Sequence, residues 1–317
     1  MSPTPSESRR YVLITPCRDE AKYARRSLES VVNQSEVPTL WVIVDDGSTD
    51  ETPKILAEYE AKHPWIQILR REDRGKRAVG PGVVDAFYAG WDTVDSNNFD
   101  YLCKFDLDLD IPHDYFKILM DRMEADPRLG TCSGKPYFEE NGNLVSEKCG
   151  DEMSVGMTKF YRRECFLEIG GFVREVMWDG IDCHRARMLG WKACSWDDPE
   201  LRFVHLRPMG SSQKSIFTGR MRHGFGQYFM GTDLLYMTAS SVFRLAHPPV
   251  IVGGLAMWWG YVKSVLQGKP RYDDLEFRKF LNAYQHRCLT AGKARATAEL
   301  DETAAERAAI ERDNRKG

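Results

Sequence analysis

The chain has 317 residues, 42% of them hydrophobic and 29% charged, with a formal net charge of -3. This is the length and composition of an ordinary globular protein with one large domain and an appendage, not of a disordered or low-complexity chain. The charge gives no electrostatic case for nucleic acid, and eight cysteines scattered singly, with no Cys-x-x-Cys pair, exclude a zinc-ribbon or disulfide scaffold.

Residues 1–10 are polar and lack the apolar core of an export signal, so the expected location is the cytoplasm. Tyr11-Val12-Leu13-Ile14 reads as a short buried strand ending at Thr15-Pro16, followed by a helix with Leu28, Val31 and Val32 on one face. Trp41-Val42-Ile43-Val44 is a second strand, ended by Asp45-Asp46-Gly47-Ser48. Ser48 or Thr49 is the expected cap of the next helix, with Pro53 near its first turn and Ile55, Leu56 and Tyr59 on its apolar face. Ile66-Gln67-Ile68-Leu69 is a third strand, and a helical stretch through Val83, Phe87 and Gly90 leads into a fourth, Tyr101-Leu102-Cys103. The alternation predicts an α/β fold with a mostly parallel sheet flanked by helices. Ligands of such sheets bind outside the carboxyl ends of the strands, where Arg18-Asp19-Glu20, Asp45-Asp46 and Asp106/Asp108 would converge.

The segment Phe105-Asp106-Leu107-Asp108-Leu109-Asp110-Ile111-Pro112 carries three carboxylates at alternate positions, which point the same way if the backbone stays extended. Such crowding is unfavourable without a cation, and Mg²⁺ carrying a diphosphate satisfies it. The other reading is a solvated acidic turn closed by Pro112, and Asp110 is read as a turn residue. Arg74-Gly75-Lys76-Arg77 precedes a helix, so it is either a phosphate cradle or a solvated basic turn.

From about residue 216 aromatic residues and Met dominate. Pro248 to Val262 is apolar or small throughout and is followed by Lys263, Lys269 and Arg271. This run falls short of the roughly 18 to 20 apolar residues of a spanning helix. It reads as a buried helix, or as one lying in a membrane interface with Trp258 and Trp259 at headgroup level. The expected division is a polar tail (1–10), an α/β domain (11–215), a helical module, buried or membrane-associating (216–290), and a charged tail (291–317).

Four segments in order resemble family 2 glycosyltransferases of the GT-A fold. They are Thr15-Pro16-Cys17-Arg18-Asp19-Glu20, Val44-Asp45-Asp46-Gly47-Ser48-Thr49-Asp50, the Asp106-Leu107-Asp108 pair, and Trp178-Asp179-Gly180-Ile181-Asp182 followed by Arg185 and Gly190-Trp191. Gly170-Gly171-Phe172 is similar to that family's turn under the acceptor site. The resemblance covers about residues 11–215 and implies a GT-A, Rossmann-like core with a C-terminal helical appendage. Trp178 stands where the family has Glu, and Asp19 where it has Asn. The Gln-x-x-Arg-Trp motif of processive members is absent; Arg220 to Tyr228 occupy that region, which favours transfer of a single sugar.

The resemblance assigns roles residue by residue. Asp46 would contact the nucleobase of a nucleotide-sugar donor, a UDP-sugar first of all, with Pro16, Arg18 and Glu20 lining the same pocket. Asp46 also reads as an Asx-turn residue shaping Asp-Gly-Ser. Lys76, Arg77, Arg207 and the mobile-loop Lys214 would serve the diphosphate. Asp106 and Asp108 would hold Mg²⁺ or Mn²⁺, with His205 a further ligand or else a structural histidine. Asp179 would be the general base of an inverting displacement, or a helix N-cap with Asp182 in the first turn; Trp178 and Asp182 fall on the acceptor side. The expected activity is metal-dependent transfer to a glycan or lipid-linked acceptor at the inner face of the cytoplasmic membrane, in cell-surface polysaccharide or glycolipid synthesis. Two alternatives stand beside it. One is a polyprenyl-phosphate sugar synthase. The other is an inactive nucleotide-sugar-binding partner, against which intact Asp106, Asp108 and Asp179 argue. The sequence leaves the oligomeric state open.

Overall fold

The computed structural model describes residues 9–73, 80–207, 216–246 and 249–314. By its contacts the chain divides into two compact units, Met1–Arg174 with Lys192–Pro208, and Glu175–Trp191 with Met209–Gly317. The division expected at residue 215 is therefore more involved, because 175–191 groups with the C-terminal helices.

The first unit opens with β1 (Tyr11–Cys17), α1 (Ala21–Val32), β2 (Leu40–Asp45), α2 (Thr52–Glu60), β3 (Ile66–Arg70), α3 (Pro81–Trp91) and β4 (Tyr101–Phe105). It continues through β5 (Leu109–Asp110), α4 (Tyr115–Ala125), β6 (Leu129–Ser133), β7 (Lys135–Glu140), β8 (Asn143–Ser146), β9 (Thr158–Arg162) and α5 (Arg163–Glu168). After an excursion through α6 (Trp178–Met188) of the second unit, β10 (Lys192–Ser195) and β11 (Arg202–His205) complete it.

Seven strands form one sheet in the order β10-β6-β9-β4-β1-β2-β3. The pairs β1–β2, β1–β4, β2–β3 and β10–β6 are parallel, and β9 runs antiparallel to β4 and β6. Tyr11 to Ile14 and Trp41 to Val44 are buried on both faces, as continuous apolar runs in a covered parallel sheet must be. Trp41 fills the space under the sheet, donates from Nε1 to Thr15 Oγ1 at 2.8 Å and meets the Phe105 ring edge-on. The order β3-β2-β1-β4 reverses direction between β1 and β4, so a crevice opens at the carboxyl ends of those two strands. A second sheet, β5-β11-β7-β8, stands beside them.

The second unit contains α6, α7 (Ile216–Met230), α8 (Leu234–Leu245), α9 (Val252–Leu266), α10 (Leu275–Ala291) and α11 (Lys293–Asn314). Asp233 and Asp274 cap α8 and α10, accepting from Tyr236 N at 2.8 Å and Phe277 N at 2.9 Å. Tyr228, Met237, Met257 and Tyr261 form the buried cluster between α7, α8 and α9. Among the described residues no helix is long and apolar enough to cross a membrane.

His223 of α7 lies where burial, with Arg244 of α8 and Arg220 and Arg222 of α7 nearby, pushes its imidazole down from 6.5 to about 4. The folded value is below the unfolded one, so its stabilising share is complete above pH 6.5 and is lost as the pH falls from 6.5 towards 4. On the order of 2 kcal/mol is at stake. Urea unfolding at about pH 7 and about pH 4.5 should show this loss, and His223→Gln should remove it. An equal acid loss in the variant would assign the effect to other groups.

Candidate active site

The loops after β1 and β2 hold each other in shape. Asp19 N donates to Ser48 Oγ at 2.9 Å, Glu20 N to Thr52 Oγ1 at 2.8 Å and Ala21 N to Asp50 Oδ2 at 3.1 Å. In return Thr49 N donates to Asp19 Oδ1 at 2.8 Å. These bonds satisfy N–H groups at the start of α1 that have no partner inside the helix, and they fix Asp19 at φ 53°. Burial raises the Asp50 carboxyl, but the hydrogen bonds from Thr52 and Ala21 outweigh it and hold the group below the usual range. The expected cap of α2 by Ser48 or Thr49 is thus corrected: the helix starts after Glu51 without a side-chain cap, because both residues are committed to the β1 loop.

The turn-shaping carboxylate is Asp45, whose Oδ1 accepts from Ser48 N at 2.8 Å, so the Asx-turn reading passes to it from Asp46. The Asp46 carboxylate instead meets Arg71 at 3.0 Å, and its backbone carbonyl accepts from Arg18 Nη1 at 3.0 Å. Arg18 also donates to Asp73 Oδ1 at 2.6 Å. Gly47 sits at φ 77° with the Asp73 backbone so close that a Cβ would lie 2.5 Å from Asp73 Cα. Gly47 to Asp50, Pro53 and Arg70 to Asp73 line an open depression of about 720 Å³ beside these groups. Pro16 lies partly exposed in β1, two residues beyond the last recorded pair with β4, Ile14↔Lys104.

The three alternating carboxylates do not share a side. β4 belongs to one sheet and β5 to the other, so the chain turns at Leu107-Asp108 as it passes between them. Asp106 pairs with Lys104, which also donates to Gly156 O at 3.0 Å. Asp110 lies in β5 and takes Arg26 Nε at 2.6 Å. Asp108 faces His205 and Arg207: the register His205↔Leu109 and the bond Leu206 N→Asp108 O, 2.8 Å, place β11 alongside. His205 Nε2 is 3.8 Å and Arg207 Nε 3.5 Å from Asp108 Oδ2. His205 Nδ1 lies 3.0 Å from Glu147 Oε2, and Arg207 pairs with Glu20 and lies over the Tyr23 ring.

These surroundings push the two carboxylates apart. Burial raises Asp106 above the ordinary range, against Lys104 and aided by the Asp108 charge. Burial also raises Asp108, but His205 and Arg207 prevail and leave it lowered. Burial lowers His205, whereas Asp108 and Glu147 raise it further, to about 9. Asp108 and His205 fit a divalent cation: an imidazole nitrogen and a carboxylate oxygen face each other, and Glu147 orients the ring from its other nitrogen as carboxylates do for metal-bound histidines. Asp106, turned onto Lys104, does not join them. No group of three or more His, Cys, Asp and Glu is arranged to hold a metal among the described residues. Of the expected metal set Asp106, Asp108 and His205, the structure sets Asp108 and His205 face to face and pairs Asp106 with Lys104.

Asp179 lies in the first turn of α6, where the helix dipole favours a carboxylate. The N-cap is Met177, in left-handed conformation at φ 64°, so Asp179 is not the cap and Asp182 falls beyond the first turn. Asp182 and Trp178, expected on the acceptor side, are both buried. Burial lowers the Arg222 guanidinium, and the Asp179 charge opposes that shift. Arg185 bonds Tyr272 Oη and lies 3.7 Å from Asp274, tying α6 to the start of α10. Lys76, Arg77 and Lys214 lie outside the described residues.

Glu147, Arg71, Asp73 and Lys104 are partners that sequence reasoning missed. Lys104, alternating within an apolar strand, was the one visible signal. The others stand on loops remote in sequence from the groups they touch.

A model described as glycosyl transferase family 2 matches residues 12–174, just over half of the chain. Chondroitin synthase of Escherichia coli is 28% identical over 135 residues, 41% of this chain and 18% of that protein. Poly-beta-1,6-N-acetyl-D-glucosamine synthase of Staphylococcus aureus is 23% identical over 132 residues, 41% of this chain and 29% of that protein. The chain thus spans less than a third of the length of these curated relatives. Among solved structures, the mannosyltransferase PcManGT of Pyrobaculum calidifontis, in complex with GDP-Man and Mn²⁺, aligns with TM-score 0.50 at 17% identity over 95% of this chain and 88% of its own. That likeness is one of fold, and it bears out the expected α/β class of GT-A type with C-terminal helices. The family match ends before α6, so it does not reach Asp179.

Proposed function

The chain belongs to glycosyl transferase family 2, and on that premise we propose that it moves one sugar from a nucleotide sugar, a UDP-sugar in our reading, to a hydroxyl of a glycan or lipid-linked acceptor. One observation carries this reading. Two sets of polar contacts begin in the loop after β1, Arg18 with the Asp46 carbonyl and the Asp73 carboxylate, and Glu20 with Arg207, which leads on to Asp108, His205 and Glu147. They lie at the strand ends where an α/β sheet takes its ligand.

Asp46, released from Arg71, accepts the N3–H of the base, with Pro16 beside it. Arg18 and Arg207 exchange carboxylate partners for diphosphate oxygens, and Lys76 and Arg77 add charge there. Asp108 and His205 would hold Mg²⁺ or Mn²⁺, which would supply positive charge to the departing nucleoside diphosphate. Lys104 keeps Asp106 out of that shell. Asp179 takes the proton of the acceptor hydroxyl, whose oxygen bonds to the anomeric carbon as the diphosphate leaves with inversion.

The test is a screen of UDP-, GDP- and dTDP-sugars by thermal shift and nucleotide release, with Mn²⁺ or with chelator. One nucleotide class should stabilise the protein only with the metal. Uniform failure of all donors with Mn²⁺ would remove the reading. Asp179→Asn should keep donor affinity and lose about 10²-fold or more in turnover, since deprotonation matters in the transition state. A variant that melts earlier but turns over at the native rate when folded would make Asp179 structural.

A further inference from the structure

α9 buries Met257 and Tyr261 together with its small residues Gly253, Gly254, Ala256 and Gly260, and it leaves a second set of large apolar side chains outside: Leu255, Trp258 and Trp259 are 57%, 37% and 48% exposed. A soluble amphipathic helix turns its large apolar side chains inward. α8 does the same in part: Leu235, Val242 and Phe243 are 63%, 60% and 69% exposed. The two helices form an antiparallel hairpin. Trp258 Nε1 donates to Thr238 Oγ1 at 3.3 Å, Gly254 packs on Ser241, and Ile251 N donates to Leu245 O at 3.0 Å. Their outward sides make one apolar face on the second unit.

Charge says what covers that face. Between Asp233 and Asp273 the chain has no acidic residue but carries Arg244, Lys263, Lys269 and Arg271. Lys263 is exposed on α9, and Lys269 and Arg271 follow it. A second copy docked by two-fold symmetry would set this stretch, which carries cations and no carboxylate, against itself. A bilayer with anionic headgroups complements both the apolar face and these cations. We propose that the α8–α9 hairpin seats the protein on an anionic membrane surface, with Leu235, Val242, Phe243, Leu255, Trp258 and Trp259 in the headgroup–acyl boundary and Lys263, Lys269 and Arg271 on the lipid phosphates. α9 lies along the interface; its 15 residues reach about 22 Å, short of the hydrocarbon thickness of roughly 30 Å.

The full chain is tested by co-sedimentation with vesicles of phosphatidylcholine alone or with about one third phosphatidylglycerol. Binding to the anionic vesicles should be at least about tenfold stronger, weaken with added salt, and shift Trp emission to the blue. Leu255→Ser with Trp259→Ser should weaken it about tenfold or more. Lys263→Glu with Lys269→Glu, which spares the apolar face, should bring anionic binding down to the neutral level. No sedimentation with anionic vesicles, wild-type binding by both variants, or a stable dimer that buries the two tryptophans would overturn the proposal. No sugar donor is present in this assay, so its failure leaves the transfer reading untouched, and the reverse holds.

Discussion

Asp108→Asn should lower metal-dependent sugar transfer by about 10²–10³-fold while the fold survives. The amide keeps the volume of a side chain that is only 11% exposed, and removes the charge that faces both His205 and Arg207. His205 retains Glu147 and Arg207 retains Glu20, so neither cation is stranded and the structural cost stays small. The functional cost is large because a neutral amide is a poor ligand for a hard cation, and the loss falls where charge develops on the leaving group. Turnover across a Mn²⁺ titration, alongside a melting curve, separates the two. Wild-type turnover at the same metal concentration would show that Asp108 does not hold the ion. Asp106→Asn is the internal contrast: with its carboxylate on Lys104, it should affect metal affinity less than Asp108→Asn. Equal losses would return Asp106 to the metal.

Gly224→Ala should destabilise the second unit by about 3 kcal/mol, a drop in Tm of roughly 10 °C. A Cβ at Gly224 of α7 would lie 1.9 Å from Met257 O and 2.8 Å from Tyr261 N, both backbone atoms of α9. Backbone cannot swing aside as a side-chain tip does, so the helices must separate and the buried Met257 and Tyr261 lose their close packing. Gly260→Ala meets the reciprocal obstacle, Met221 O at 2.2 Å, and should cost a similar amount. The double variant should cost less than the sum, because helices already parted by the first methyl have room for the second. Circular dichroism melts of the three variants measure this. An unchanged Tm for Gly224→Ala would mean that α7 and α9 do not approach closely at this point.

The sequence by itself determined the elements whose cause is local. Buried parallel strands are continuous apolar runs, so β1, β2, β3 and β4 were legible from Tyr11, Trp41, Ile66 and Tyr101 onward, and their alternation with helices implied the parallel sheet. Polar residues just after those strands marked the candidate site; in the first unit Arg18 contacts Asp46, and Glu20, Arg207, Asp108 and His205 form a separate chain of contacts. Tertiary structure decided the rest, because each remaining choice depends on groups distant along the chain. Alternation predicted that Asp106, Asp108 and Asp110 point one way. The passage of the chain from one sheet to the other breaks that period and sends them to Lys104, His205 and Arg26. Glu147 reaches His205 and Asp73 reaches Arg18 across 58 and 55 residues, separations that no local pattern encodes. The apolar run before Lys263 was equally compatible with a buried helix and an interfacial one. Composition cannot separate these, since both need the same residues. Only the packing of Gly224 and Gly260 between α7 and α9 turns the small side of α9 inward and leaves its tryptophans facing out.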